Sequence, residues 1–222
     1  MSGERINYDR VAGIYDITSR IVFLGKQQRI QRQVLRFIRS WDRVLIAGGG
    51  SGWILEDDYI QSLKGVDIDF VDNSARMLRL ASGRRLGPFN VQFRQENIFD
   101  FMSSGQYDVI FTSFLFDNFE AEECRALFDR LDGLLMHGGR WLNCDFSINN
   151  RYGAWWKKTI LSLMHHFFNC MAGVSTRSLT EDINLFEGGG YVLEYEEYLY
   201  LHFLSGKVFS KVKEAKGIQG EP

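Results

Sequence analysis

Apolar positions along the chain switch between helical and extended spacing, and the switches mark out its elements. Ile30, Val34, Leu35, Phe37 and Ile38 recur at helical spacing, while Arg29, Arg32, Arg36 and Arg39 occupy the other positions as a solvated face. Val44-Leu45-Ile46-Ala47 is an apolar run of strand length that ends in Gly48, Gly49, Gly50 and Gly52. Ile54 to Leu63 is amphipathic and predicts a helix; Val66-Asp67-Ile68-Asp69-Phe70-Val71 predicts a second strand, closed by Asp72. Asn73-Ser74-Ala75-Arg76-Met77-Leu78 opens a capped helix that runs to about Ser82, before Gly83-Arg84-Arg85-Leu86-Gly87-Pro88 breaks it.

Val91-Gln92-Phe93-Arg94 reads as a third strand. Tyr107 to Phe114 is a fourth, with the few charges expected of a central parallel strand. A helix from Ala121 to Leu135 leads through a turn at His137-Gly138-Gly139-Arg140 into a fifth strand, Trp141 to Phe146. Tyr152 to Val174 carries more aromatic rings than one buried helix face needs, and Lys157, Lys158, His165, His166 and Asn169 break it too often for a membrane span. Arg177 to Asp182 reads as a loop into a short helix with Thr180 as its cap. Glu187-Gly188-Gly189-Gly190 precedes a strand rather than following one, which makes it a turn. Tyr191 to Leu199 and Lys207 to Val212 are the last two strand-like stretches, with Glu194, Glu196 and Glu197 as solvent or edge charges and a frayed tail from Glu214.

Strand, glycine turn, helix, strand and acid form the layout of a nucleotide-binding βαβ unit. Asp72 stands twenty residues after Gly52, at the tip of the second strand, where a carboxylate accepts both hydroxyls of a ribose. The dinucleotide fingerprint Gly-x-Gly-x-x-Gly would place its third glycine at Trp53, so the spacing disfavours an NAD dehydrogenase. The glycines present are Gly48-x-Gly50-x-Gly52.

That pattern resembles the first motif of class I S-adenosylmethionine-dependent methyltransferases, acid-x-Gly-x-Gly-x-Gly, with Ile46 in the place of the acid. Asn7-Tyr8-Asp9-Arg10-Val11-Ala12-Gly13-Ile14-Tyr15-Asp16 resembles the opening of the ubiquinone/menaquinone-type members. The resemblance runs from Tyr8 to about Val212 and implies a Rossmann-like α/β fold: a doubly wound seven-stranded sheet, mostly parallel, with an antiparallel last strand. It implies that Gly48, Gly49, Gly50 and Gly52 hold S-adenosyl-L-methionine, with Asp72 and Asn73 beside its ribose and Ser113 at the end of the fourth strand. It implies further that Asn97 and the amide of Ile98 contact the adenine, and that Tyr8 and Tyr15 line the pocket. The plainer alternatives are that Asn97 shapes a turn and that the two tyrosines anchor an N-terminal helix.

Composition narrows the picture further. A chain of 222 residues with 45% hydrophobic content can bury a full core as one domain, expected here over 1–222 with an N-terminal cap (1–40) and an acceptor or lid insertion (147–187). A net charge of −2 gives no electrostatic case for nucleic acid. Cys124, Cys144 and Cys170 lack metal or redox spacing, no metal site is expected, and the polar start Met1-Ser2-Gly3-Glu4-Arg5 is no signal peptide. A cytoplasmic protein is the expectation.

Methyl transfer needs alignment of acceptor and S–CH₃ bond, exclusion of water and, for a hydroxyl acceptor, removal of a proton. Candidate bases are Asp117, Asp145, His165 and His166; a buried, hydrogen-bonded histidine is the plainer reading of either histidine. The Asn/Asp-Pro-Pro-aromatic motif of amino-group methylation is replaced by Phe116-Asp117-Asn118-Phe119. The resemblance implies methylation, at oxygen or carbon, of a small apolar or aromatic metabolite, with the Tyr152–Val174 segment building the acceptor pocket or lid; the alternatives for that segment are a homodimer interface or plain core packing. The competing reading, motivated by Ile46, is a catalytically silent fold that binds a nucleoside or a protein partner.

Overall fold

The structure is a computed structural model that describes residues 25–147, 185–186 and 190–212. Its elements are α1 (Lys26–Leu35), β1 (Arg43–Ala47), α2 (Asp58–Ser62), β2 (Asp67–Asp72), α3 (Ala75–Ser82), β3 (Asn90–Gln95), β4 (Tyr107–Ser113), α4 (Ala121–Leu134), β5 (Leu135–Phe146), β6 (Tyr191–Leu199) and β7 (Leu204–Lys211). Single 3₁₀ turns at Trp53–Glu56 and Phe116–Asn118 follow β1 and β4.

The seven strands form one sheet in the order β3-β2-β1-β4-β5-β7-β6. The pairs β3–β2, β2–β1, β1–β4 and β4–β5 are parallel, whereas β7 runs antiparallel to both β5 and β6. The last strand is therefore the antiparallel one, inserted between β5 and the edge strand β6. Strand order reverses at β1 and β4, and a crevice opens outside their carboxyl ends.

Apolar residues cover both faces of β1, as a central parallel strand requires. Val44 and Ile46 point into a core shared with Ile30 and Val34 of α1, Ile60 of α2 and Leu78 of α3. Leu45 and Ala47 point the other way, towards Cys124, Leu127, Phe128 and Leu131 of α4. In that second core the Phe128 and Trp141 rings stack at 5.1 Å, and Phe186 meets Trp141 edge-on. Cys124 and Cys144 are buried free thiols.

α1 approaches the sheet closely because β7 presents Gly206 beneath it. A Cβ there would lie 2.9 Å from Ile30 and 3.2 Å from Val34. Burial of Ile30, Val34 and Leu35, all 1% exposed or less, contributes about 1.5–3 kcal/mol each before entropy is counted. Arg32 extends this anchorage, with Nε 2.8 Å from Asp57 Oδ2 and its guanidinium 5.5 Å from the Trp53 ring.

Two predicted elements differ from the structure. The helix expected over Ile54–Leu63 is split into the 3₁₀ turn and the five-residue α2. Asp57 causes the split: it is extended (φ −66°, ψ 134°) and its carboxylate accepts the Tyr59 N–H, a cap that starts a new helix. The expected turn at His137–Arg140 lies inside β5, which begins at Leu135 directly after α4. There the register jumps from Tyr107↔Leu135 to Val109↔Arg140, so the segment bulges without leaving the strand.

At the far end of the sheet, Asp69 of β2 is buried against Arg94 Nε (2.8 Å), Tyr107 OH (2.7 Å) and Arg43 (3.5 Å). Burial alone would raise its carboxyl, but the hydrogen bonds from Arg94 and Tyr107 and the nearby guanidinium charges outweigh that and hold it below the usual range. Burial and the same carboxylate push the Tyr107 phenol up to about 12. This cluster ties β1, β2, β3 and β4 together at the end opposite the crevice.

Candidate functional site

The crevice is built from the turn after β1. Gly48, Gly50 and Gly52 have φ of 68°, 58° and 69°, so every second residue takes the left-handed conformation that a Cβ disfavours. Gly48 N donates to Val71 O at 2.9 Å, which folds the turn back over the tip of β2. Gly49 lies directly on the Phe70 ring. Gly52 packs on Ala81 of α3, where an added Cβ would sit 2.6 Å away. On its outer side, Arg84 Nε donates to Ser51 O at 3.0 Å.

Asp72 fixes the position of the turn. Its Oδ2 accepts the Gly50 N–H and its Oδ1 the Ser74 N–H, both at 2.8 Å. Ser74 in turn caps α3 by accepting the Met77 N–H. One acid thus links the glycine turn, the end of β2 and the start of α3.

The cleft above the turn has a volume of about 90 Å³. Its lining includes Gly48, Gly49, Gly50 and Ser51 of the turn, and Ser113 and Phe114 at the end of β4. α1 closes it from above with Gln27, Gln28 and Gln31. Phe114 has φ of 51°, an uncommon value for a bulky residue; its N–H donates to Cys144 O and its ring packs 4.9 Å from Phe146.

Of the residues predicted from sequence, the cleft brings together Gly48, Gly49, Gly50 and Ser113, with Asp72 joined to them through Gly50. Gly52 lies below the turn, and Asn73 is exposed beside Asp72. Asn97 Oδ1 accepts the Phe99 N–H at 3.1 Å in a local turn, and Ile98 is buried in the second core. Asp117 and Asp145 do not line the cleft. Asp117 lies in the 3₁₀ turn after β4, where Asn118 Nδ2 donates to its Oδ1 and burial raises its carboxyl to about 7. Asp145 is buried near the end of β5 and accepts the Phe146 N–H. Tyr8, Tyr15, His165 and His166 lie outside the described residues, as do most of the 1–40 cap and nearly all of the 147–187 insertion.

Sequence reading missed the glutamines. Gln31 stands four residues after Gln27 and three after Gln28, so the three share one polar face beside the apolar one of Ile30 and Val34, and that spacing was the available signal. Among the described residues, no helix is long and apolar enough to cross a membrane, and no group of three or more His, Cys, Asp or Glu is placed to hold a metal ion.

The family model described as a methyltransferase domain matches residues 44–139, from β1 into the start of β5. A chain in the complex between the Haloferax volcanii Trm112 methyltransferase activator and a methyltransferase is similar, with a TM-score of 0.67 and 12% identity over 95% of this chain and 100% of that one. The magnesium protoporphyrin IX methyltransferase of Synechocystis PCC 6803, solved with S-adenosylhomocysteine, gives 0.60 and 15% over 85% and 84%. The DhpI complex with S-adenosylhomocysteine gives 0.65 and 18% over 92% and 93%. No curated protein matches the chain. Residues 44–139 thus match a methyltransferase domain, and the seven-stranded sheet has the Rossmann-like fold of the methyltransferases it resembles.

Proposed function

We propose that the chain transfers the methyl group of S-adenosyl-L-methionine to oxygen or carbon of a small apolar or aromatic acceptor. The observation that carries the cofactor half is the bond between Asp72 and Gly50, which places a carboxylate beside an open glycine turn at the β1/β4 crevice. Bound there, the cofactor supplies an electrophilic methyl on a sulfonium. Asp72 would hold the ribose hydroxyls, Gly48, Gly49 and Gly50 would let the backbone approach the ligand, and Phe111 and Phe114 would keep that end of the cleft apolar.

The aromatic load of Tyr152–Val174 and one similar structure named for a porphyrin substrate support the acceptor half. A base is needed only if the acceptor carries a hydroxyl. Asp117, held near neutrality by burial, is then the best placed in energy of the described candidates, although it stands off the cleft.

An Asp72→Ala variant tests the site. Loss of S-adenosylhomocysteine binding with a cooperative thermal transition retained supports the reading; unchanged affinity contradicts it. The silent-fold alternative is separated by turnover, since methylation of any apolar or aromatic acceptor by the intact chain excludes it.

A further inference from the structure

Gln31 is a buried polar residue, 7% exposed, on the face of α1 that looks into the cleft. Its Nε2 donates to Ser113 Oγ at 2.5 Å. That bond fixes the plane of the amide and leaves Oε1 buried with no hydrogen-bond partner. A buried amide oxygen without a donor is unfavourable and therefore uncommon. This one belongs to a residue lining the same cleft as Gly48, Gly49 and Gly50, where a bound molecule can bring the missing N–H or O–H.

The second observation is Ile46. It takes the place of the motif acid, is 2% exposed, and packs in the apolar core on the α1 side of the sheet. β1 therefore offers the cleft no side-chain acceptor at this position. Gln31 and Ser113 belong to the same side of the sheet as Ile46: Ser113 follows Val109 and Phe111 on β4, and Phe111 pairs with Ile46.

The proposed placement of the cofactor decides which donor meets Oε1, and the inference rests on that placement. With the ribose at Asp72 on β2 and the adenine beyond it towards β3, the methionine end runs over β1 to β4, beneath Gln31. The α-ammonium is the only donor on that end. We propose that Gln31 is a cofactor-positioning residue whose Oε1 accepts from the α-ammonium of S-adenosyl-L-methionine. A neutral acceptor on α1, oriented by Ser113, thus serves in place of a carboxylate on β1.

The test titrates the full chain calorimetrically with S-adenosylhomocysteine, its analogue lacking the α-ammonium and its analogue lacking the α-carboxylate. Wild type, Gln31→Met and Gln31→Glu are compared. Losing a hydrogen bond to a charged group predicts a drop of about tenfold or more in affinity. Removing the ammonium should therefore weaken wild type by about that factor and Gln31→Met hardly at all. Gln31→Glu, which keeps the acceptor, should retain the parent ligand. Equal losses for all three ligands in Gln31→Met, or a loss that follows the carboxylate, overturn the proposal while leaving the cofactor reading intact. A wild-type chain that binds none of the three overturns both.

Discussion

Replacing Gly49 with alanine puts a methyl where Phe70 already stands. The new Cβ would lie 2.2 Å from Phe70 Cζ and 2.5 Å from Cε2. Carbon atoms prefer about 3.5–4.0 Å, so ring and turn must separate by roughly 1.3 Å or more. The ring has no room to give: Phe70 is 0% exposed and packs 5.4 Å from the Phe93 ring. Overpacking of this kind costs about 1–3 kcal/mol. The turn itself must then move, and binding geometry tolerates only about 0.5 Å. Gly49→Ala should lower the urea midpoint and reduce S-adenosylhomocysteine affinity together. Phe70→Leu removes the atoms that clash, so the double variant should recover both properties relative to Gly49→Ala alone, although Phe70→Leu is itself destabilising. Equilibrium urea unfolding and calorimetry on the four proteins complete the cycle. A Gly49→Ala chain within about 0.5 kcal/mol of wild type, or strictly additive effects, would refute the reasoning.

Asp117 should make stability depend on pH. Its folded pKa, about 7, lies above the ordinary 3.8, so the folded state keeps a proton that the unfolded state gives up in that window. Stability from this group is therefore fully present below about pH 4 and is lost as pH rises towards and through 7, by roughly 4 kcal/mol at most. Asp117→Asn should match wild type at pH 5 more closely than at pH 8, where it should be the more stable in urea titrations; equal differences at both pH values would contradict this. Thr112→Val should cost about 1–3 kcal/mol, because the buried Trp141 indole N–H donates to Thr112 Oγ1 at 2.9 Å and would lose its acceptor. An unchanged urea midpoint would show that this bond contributes nothing.

The sheet was legible in the sequence where burial dominates. Val44–Ala47 is apolar on both faces and Val109–Phe111 forms an apolar centre in Tyr107–Ser113, and such runs announce central parallel strands without any long-range information. The helix after the glycine turn was not legible, because a single side chain, Asp57, competes for the Tyr59 amide and breaks a periodic stretch in two. The site divides in the same way. Gly48, Gly49, Gly50 and Asp72 follow from spacing, since a strand, a turn and a second strand fix their relative positions. Asn97 shows the limit of such reading: its carbonyl closes a turn onto Phe99, a use that no spacing distinguishes from ligand contact. Gln31 was missed because its surroundings come from β4, 82 residues away, through Ser113.

Whether this cleft holds an adenosyl-sulfur cofactor is tested most directly by calorimetric titration of the intact chain with S-adenosyl-L-methionine, S-adenosylhomocysteine and NAD in parallel. An open glycine turn pinned by Asp72, with no third glycine at Trp53, predicts saturable binding of the first two and none of NAD. Silence from both adenosyl-sulfur ligands, or binding of NAD alone, would contradict it.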